Sequence, residues 1–314
     1  MLVRTTRTNI ETTPTLYHVN FPMSFSSVTS GAESPISLSA ASIPIAVTRR
    51  KSHKMEHIHT TYESIGPMGH TTLWVMVAIL LFSITSFIVL SLRVPVQKRL
   101  YHILFILLTS GSLCGYFAMA SGDGYLYIAS DTQQIVYRQV IWARYAYWVF
   151  TTPLYLLNFA FMGGLSGVGI ILTVIADEYM VLLGLLAAFS DNEAKKWSYF
   201  VLSYIAYVVV VYQLLIDGRR TATVKGEKTA CLYTAITSCG LILWALYGVV
   251  WAFGTGARIL SVDAEIVGYA TLDFLAVTVI GFWLLLTHGR NAERIEGFWT
   301  KGLTYEGVIR LDDN

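Results

Sequence analysis

Residues 269–286 read YATLDFLAVTVIGFWLLL, an apolar run in which Asp273 is the one charged residue and Val277 follows it one helical turn later. A second stretch, residues 138–158, reads RQVIWARYAYWVFTTPLYLLN and sets Arg144 in similarly apolar company. A charged side chain in the middle of an apolar helix is expensive and normally faces the interior of a bundle beside a partner. Arg144 and Asp273 are each other's obvious partner. The residues alone leave two meanings open: a buried ion pair that fixes helix packing, or the counterion centre of a proton pathway.

The rest of the chain repeats the theme. Hydrophobic residues make up 54% of it and charged residues 13%, where a soluble domain carries about a quarter charged. Apolar stretches long enough to span a hydrocarbon core of about 30 Å fall at about 71–92, 99–121, 137–160, 166–189, 197–217, 231–253 and 262–288. The connections between them are mostly short, so consecutive helices are expected as antiparallel neighbours in one bundle. This is the pattern of an integral membrane protein in contact with a lipid bilayer. The net charge of +2 does not point to nucleic acid, because the basic residues sit where membrane topology wants them.

Lysine and arginine in short loops mark the cytoplasmic side. Arg93, Lys98 and Arg99 fall in the first loop and Arg219, Arg220, Lys225 and Lys228 in the fifth, while the opposite loops carry Lys195, Lys196 and Arg258. The N-terminus is therefore expected outside and the C-terminus in the cytoplasm, in the plasma membrane. Three parts are expected: a Ser/Thr-rich disordered outer tail over 1–66, a membrane domain over 67–290 and a cytoplasmic tail over 291–314. Such a tail cannot bury enough apolar surface to offset its ordering entropy. Its His53, His57 and His59 lack the fixed geometry that a metal site requires, so no metal is expected. Cys114, Cys231 and Cys239 fall in or at the ends of helices and read as small apolar packers rather than a disulfide framework. No Asn-x-Ser/Thr sequon occurs.

The two quoted stretches resemble the third and seventh helices of microbial rhodopsins, above all the fungal ones, and the resemblance covers about residues 70–314. It implies an all-α, seven-transmembrane-helix bundle of that type. In the family, the residue four after the helix-seven aspartate is the lysine that carries retinal as a Schiff base; here it is Val277. The position of Tyr147 is the aspartate that accepts the Schiff-base proton in the pumps, and that of Asn158 is the carboxylic donor that returns it. A tyrosine, with an ordinary pKa of about 10, and an amide that does not titrate cannot relay protons as carboxylates do. The resemblance also implies a consistent charge balance. One carboxylate and the Schiff-base cation are lost together, leaving Arg144 and Asp273 to cancel.

By the same resemblance Trp148, Thr152, Met180, Trp244, Tyr247 and Trp251 occupy chromophore-lining positions, and Gly248 stands where the family usually has proline. Aromatic side chains facing a bundle core are also ordinary packing. No covalent cofactor is expected, because Lys98, Lys195, Lys196, Lys225 and Lys228 all lie at loops or helix ends. Non-covalent retinal or another apolar ligand stays open. Of the remaining acids, Asp177 matches an aspartate bonded toward the second helix and is expected neutral when buried. Glu178, read with the other two as a buried acid, has no family role and faces either lipid or a partner helix. Glu265 matches a proton-release residue and is expected in surface hydrogen bonding.

The leading expectation is thus a retinal-independent, opsin-related protein of stress-related or regulatory character, by analogy with lysine-less fungal relatives, and not a light-driven proton pump. The alternatives are a photoreceptor or ion transporter that holds retinal non-covalently, and a membrane scaffold that forms a homo-oligomer or binds a membrane-protein partner. No catalytic motif points to an enzyme.

Overall fold

A computed structural model of the chain describes residues 61–129 and 136–288. Its seven helices are Pro67–Leu92, Leu100–Ala120, Ala143–Gly163, Gly167–Phe189, Glu193–Val224, Glu227–Gly256 and Val262–Thr287. Consecutive helices pack as neighbours, and the first closes against the seventh. Among the described residues six of these helices are long and apolar enough to cross a membrane. The third is not among the six, because Arg144, Tyr145, Tyr147 and Asn158 dilute its apolar character. Large apolar side chains such as Phe82, Ile171, Val201, Ile205 and Val208 point outward, which suits a surface solvated by lipid tails.

Helix starts follow local capping chemistry. Ser166, Asn192 and Ser261 each accept a hydrogen bond from the backbone N–H three residues on, at 3.1, 3.2 and 3.2 Å, satisfying donors that the first turn leaves orphaned. Three helices wind as π-helix over one turn: the fifth at Tyr212–Asp217, the sixth at Ala252–Gly256 and the seventh at Phe274–Val279. Such wide turns recur at functional sites because they re-aim side chains.

Several expectations are corrected. The third helix begins at Ala143 and not near residue 137, because Val136–Ile141 form strand β3. The run VYRQVI is rich in β-branched residues, and it pairs antiparallel with strand β2, Tyr125–Ala129. The stretch up to residue 66 is not wholly without structure: Thr61–Glu63 form strand β1, parallel to β3, in a sheet of order β1-β3-β2. Its anchoring is specific. Ile65 N–H donates to Gln139 Oε1 at 2.8 Å, Gly66 N–H donates to Asp263 Oδ1 at 2.7 Å, and the Tyr62 ring stacks on Tyr137 at 5.3 Å.

Arg219 and Arg220, expected in a loop, lie exposed on the last turns of the fifth helix. Cys114 and Cys231 are exposed rather than packed, and all three cysteines are free. Residues 1–60, with His53, His57 and His59, and the C-terminal piece from 289 lie outside the described residues.

Candidate functional site

The seventh helix presents Asp273 to the middle of the bundle, 3% exposed. Three tyrosine hydroxyls converge on it. Tyr116 of the second helix and Tyr147 of the third donate to Oδ2 at 2.5 and 2.8 Å, and Tyr247 of the sixth donates to Oδ1 at 2.6 Å. A carboxylate offers about four lone-pair sites and no hydrogen of its own, so three converging O–H donors suit the ionised form. Close helix approach makes the convergence possible: a Cβ on Gly115 of the second helix would overlap the Tyr147 ring.

Arg144 does not pair with Asp273, contrary to the sequence expectation. Its Nη1 lies 3.6 Å from Glu265 Oε1, and its guanidinium stacks on the Tyr269 ring at 3.8 Å from the centroid, a cation–π contact. The charge balance inferred for Arg144 and Asp273 is therefore not a direct ion pair. The physical reason is a stronger competitor: Glu265 is 7% exposed and already centred among donors. Arg138 Nη2 reaches Glu265 Oε2 at 2.8 Å and Thr255 Oγ1 donates to Oε1 at 2.8 Å. Glu265 is thus no surface hydrogen-bonding residue but the hub of a buried ion cluster.

Arg138, on β3 and 1% exposed, extends that cluster. Its Nη1 meets Glu63 Oε2 of β1 at 2.9 Å and its Nη2 donates to the Leu260 carbonyl at 2.9 Å. Arg258, in the turn between the sixth and seventh helices, adopts a left-handed backbone with φ 55°. Burial and the neighbouring Arg138 cation hold its guanidinium below the usual value, opposed by Glu63 and Glu193. Arg138 was visible in the sequence but read as part of a membrane helix, and Glu63 as part of a tail. Only the sheet brings them together.

Beside Asp273 lies a cavity of about 120 Å³. Every residue that the resemblance placed around a chromophore lines it: Trp148, Thr152, Met180, Trp244, Tyr247 and Trp251. Tyr147, Gly248 and Val277 line it as well. The π-helical turn after Asp273 contains Val277 and lets both residues face the same space. Gly248 lets the fifth helix close in, since a Cβ there would overlap the Tyr204 ring. Aromatic walls join edge to face, Trp148 with Tyr247 at 5.5 Å and Trp148 with Tyr269 at 5.7 Å, while Trp251 Nε1 donates to Tyr145 Oη at 2.9 Å. No lysine is among the described residues that line the space.

The other candidates lie apart from the cavity. Asn158 is fully buried and donates to the Leu154 carbonyl of its own helix at 2.8 Å. Asp177 is not bonded toward the second helix; its Oδ2 lies 2.6 Å from Thr152 Oγ1 on the third, its packed neighbour. Thr152 Oγ1 is also 2.9 Å from the Trp148 carbonyl. One hydroxyl hydrogen cannot serve both acceptors, and a neutral Asp177 that itself donates satisfies the pair. Glu178 is half-buried rather than buried, with no hydrogen bond or ion pair among the described residues. Among the described residues no three His, Cys, Asp or Glu cluster as metal ligands.

Comparison with known proteins fits this arrangement. The family model described as bacteriorhodopsin-like protein matches residues 68–291. Opsin-1 of Neurospora crassa is 38% identical over 269 residues, covering 81% of this chain and 88% of that protein. Archaerhodopsin-3 of Halorubrum sodomense is 31% identical, covering 71% and 87%. The crystal structure of a light-driven proton pump from Leptosphaeria maculans superposes with a TM-score of 0.71 at 43% identity, covering 73% of this chain and 99% of that one. This chain belongs to the bacteriorhodopsin-like family of microbial rhodopsins.

Proposed function

We propose that this protein is an opsin-related membrane protein that works without covalently bound retinal and does not pump protons. The observation that carries the reading is the cavity itself. Val277 occupies the wall beside Asp273, and the described lining holds no lysine, so no amine is at hand to condense with an aldehyde. Tyr147 supplies a hydroxyl bonded to Asp273 in place of a second carboxylate. Asn158 is an amide bonded within its own helix. Neither exchanges a proton as a carboxylate relay requires. The Leptosphaeria maculans relative is titled a light-driven proton pump, but shared fold does not carry activity; the site does.

Loss of the relay with retention of a fitted core favours a regulatory or stress-related role over transport or catalysis. The basic residues Arg93, Arg99, Arg219 and Arg220 gather at the end of the bundle opposite the β-sheet. That supports a cytoplasmic C-terminus and a sheet on the outer side of the membrane.

The test is a visible spectrum of purified protein with all-trans retinal, followed by acid denaturation and borohydride trapping. No red-shifted band and no trapped adduct are expected. A trapped adduct overturns the reading. The retained chromophore-lining side chains favour a second reading, a light-responsive protein that holds retinal by contacts alone in a cavity that widens from its present volume of about 120 Å³. A shifted band without an adduct would select it.

A further inference from the structure

Asp273 is a buried carboxyl group that makes no direct ion pair among the described residues. Its three partners are neutral hydroxyls. The nearest guanidinium, Arg144, directs Nη1 to Glu265 and lays its face on Tyr269. Oδ2 takes two of the three donors and Oδ1 only one, from Tyr247, so Oδ1 keeps an accepting direction to spare. The carboxylate also lines the cavity. A buried charge with no cation in contact is costly, and here it stands at the edge of a space that an outside group can enter.

The walls of that space have a chemistry of their own. Trp148, Trp244, Tyr247 and Trp251 surround it, with Tyr204 and Tyr207 of the fifth helix. The two fifth-helix tyrosines have their hydroxyls tied across to the Ala245 and Leu241 carbonyls at 3.0 and 2.6 Å, so their rings rather than their polar tips serve as wall. Aromatic faces attract cations through the ring quadrupole, and aromatic cages are the usual receptors for ammonium groups. An apolar anion gains nothing from such a site, and a neutral hydrocarbon leaves Asp273 uncompensated. An amine with an apolar body satisfies both features at once.

We propose that the cavity binds a small lipophilic amine as its ammonium ion. The nitrogen donates to Asp273 Oδ1, and the apolar body lies among Trp148, Tyr247 and Trp251. The proposal rests on the absence of a covalent chromophore. The volume of about 120 Å³ is somewhat below the about 150 Å³ of an engineered apolar cavity that accepts benzene, so one ring is the upper limit of the body. A single-ring amine is the fitting probe.

The experiment titrates the purified full chain in detergent with benzylamine, and separately with benzyl alcohol, by tryptophan fluorescence and thermal melting. Benzylamine is expected to bind about ten-fold or more tightly than the alcohol, as a charged hydrogen bond over a neutral one implies. Asp273→Asn should abolish that preference, and Val277→Trp, which fills the cavity and leaves Asp273 intact, should abolish binding of both. Equal affinity for amine and alcohol in the unaltered protein overturns the proposal with no variant needed. So does amine binding that survives Val277→Trp, because it would lie elsewhere. A borohydride-trapped retinal adduct would instead sink the reading on which this rests. No adduct together with no amine preference sinks this proposal alone.

Discussion

Arg144 and Glu265 stand 3.6 Å apart inside the bundle, and their pairing leaves Asp273 to three tyrosines. The third and seventh helices are therefore tied at two levels. One is an ion cluster that reaches the β-sheet, and the other is a hydroxyl-bonded carboxylate at the cavity. The separation makes each level testable on its own.

Glu265→Ala removes the acceptor shared by Arg138, Arg144 and Thr255. Two guanidiniums, each nearly buried, lose this carboxylate, and Arg138 alone keeps another in Glu63. Breaking a buried pair on one side costs about 3–5 kcal/mol, so a large drop in melting temperature in detergent is expected. A change within about 0.5 kcal/mol, the range of ordinary surface substitutions, would show that the cluster is not held as described.

Glu63→Ala is expected to behave differently. The Glu63 side chain is 39% exposed, so its pairing with Arg138 is screened and contributes only up to about 1 kcal/mol. The global melt should barely move. Hydrogen exchange should nevertheless rise at Thr61–Glu63 and along β3, because the parallel strand loses its charged anchor. Unchanged exchange there would refute the anchoring role.

Tyr247→Phe deletes one of the three donors to Asp273 and, among the described residues, the only one on Oδ1. A hydrogen bond to a charged group contributes about 1.5–3 kcal/mol, so that loss of stability is expected. Combining it with Tyr116→Phe should cost more or less than the sum, because both act on one carboxylate. Strict additivity, measured in a double-mutant cycle, would argue against a shared centre.

Val277→Lys places an amine in the cavity beside Asp273. Incubation with all-trans retinal should then give a borohydride-trappable adduct and a red-shifted band. Light should drive no net proton movement in vesicles, since Tyr147 and Asn158 remain. A light-dependent pH change in that single variant would show that the relay has been misread.

Much of the fold was legible in the chain because membrane spanning is a local requirement. Each segment must be apolar over a fixed length, and among the described residues six of the seven show it, the third being diluted by its polar side chains. The departures came where local pattern had two meanings. VYRQVI continues an apolar stretch on one side and a β-run on the other, so the start of the third helix fell several residues late, at Ala143. Thr61–Glu63 carries no pattern of its own and becomes a strand only because β3 offers an edge.

The candidate site divides along the same line. Sequence alone determined the chemical types available: Val277 where an amine would be needed, a single carboxylate at Asp273, and a set of tryptophans and tyrosines that do gather at one cavity. Only the tertiary structure decided which charge meets which. Ion pairing is set by distances between helices far apart in the chain, and Glu265, already held by Arg138 and Thr255, captured Arg144. Asp273 was left to neutral hydroxyls for the same physical reason: in a low-dielectric interior the nearest well-placed donors settle a charge, whatever partner the sequence suggests.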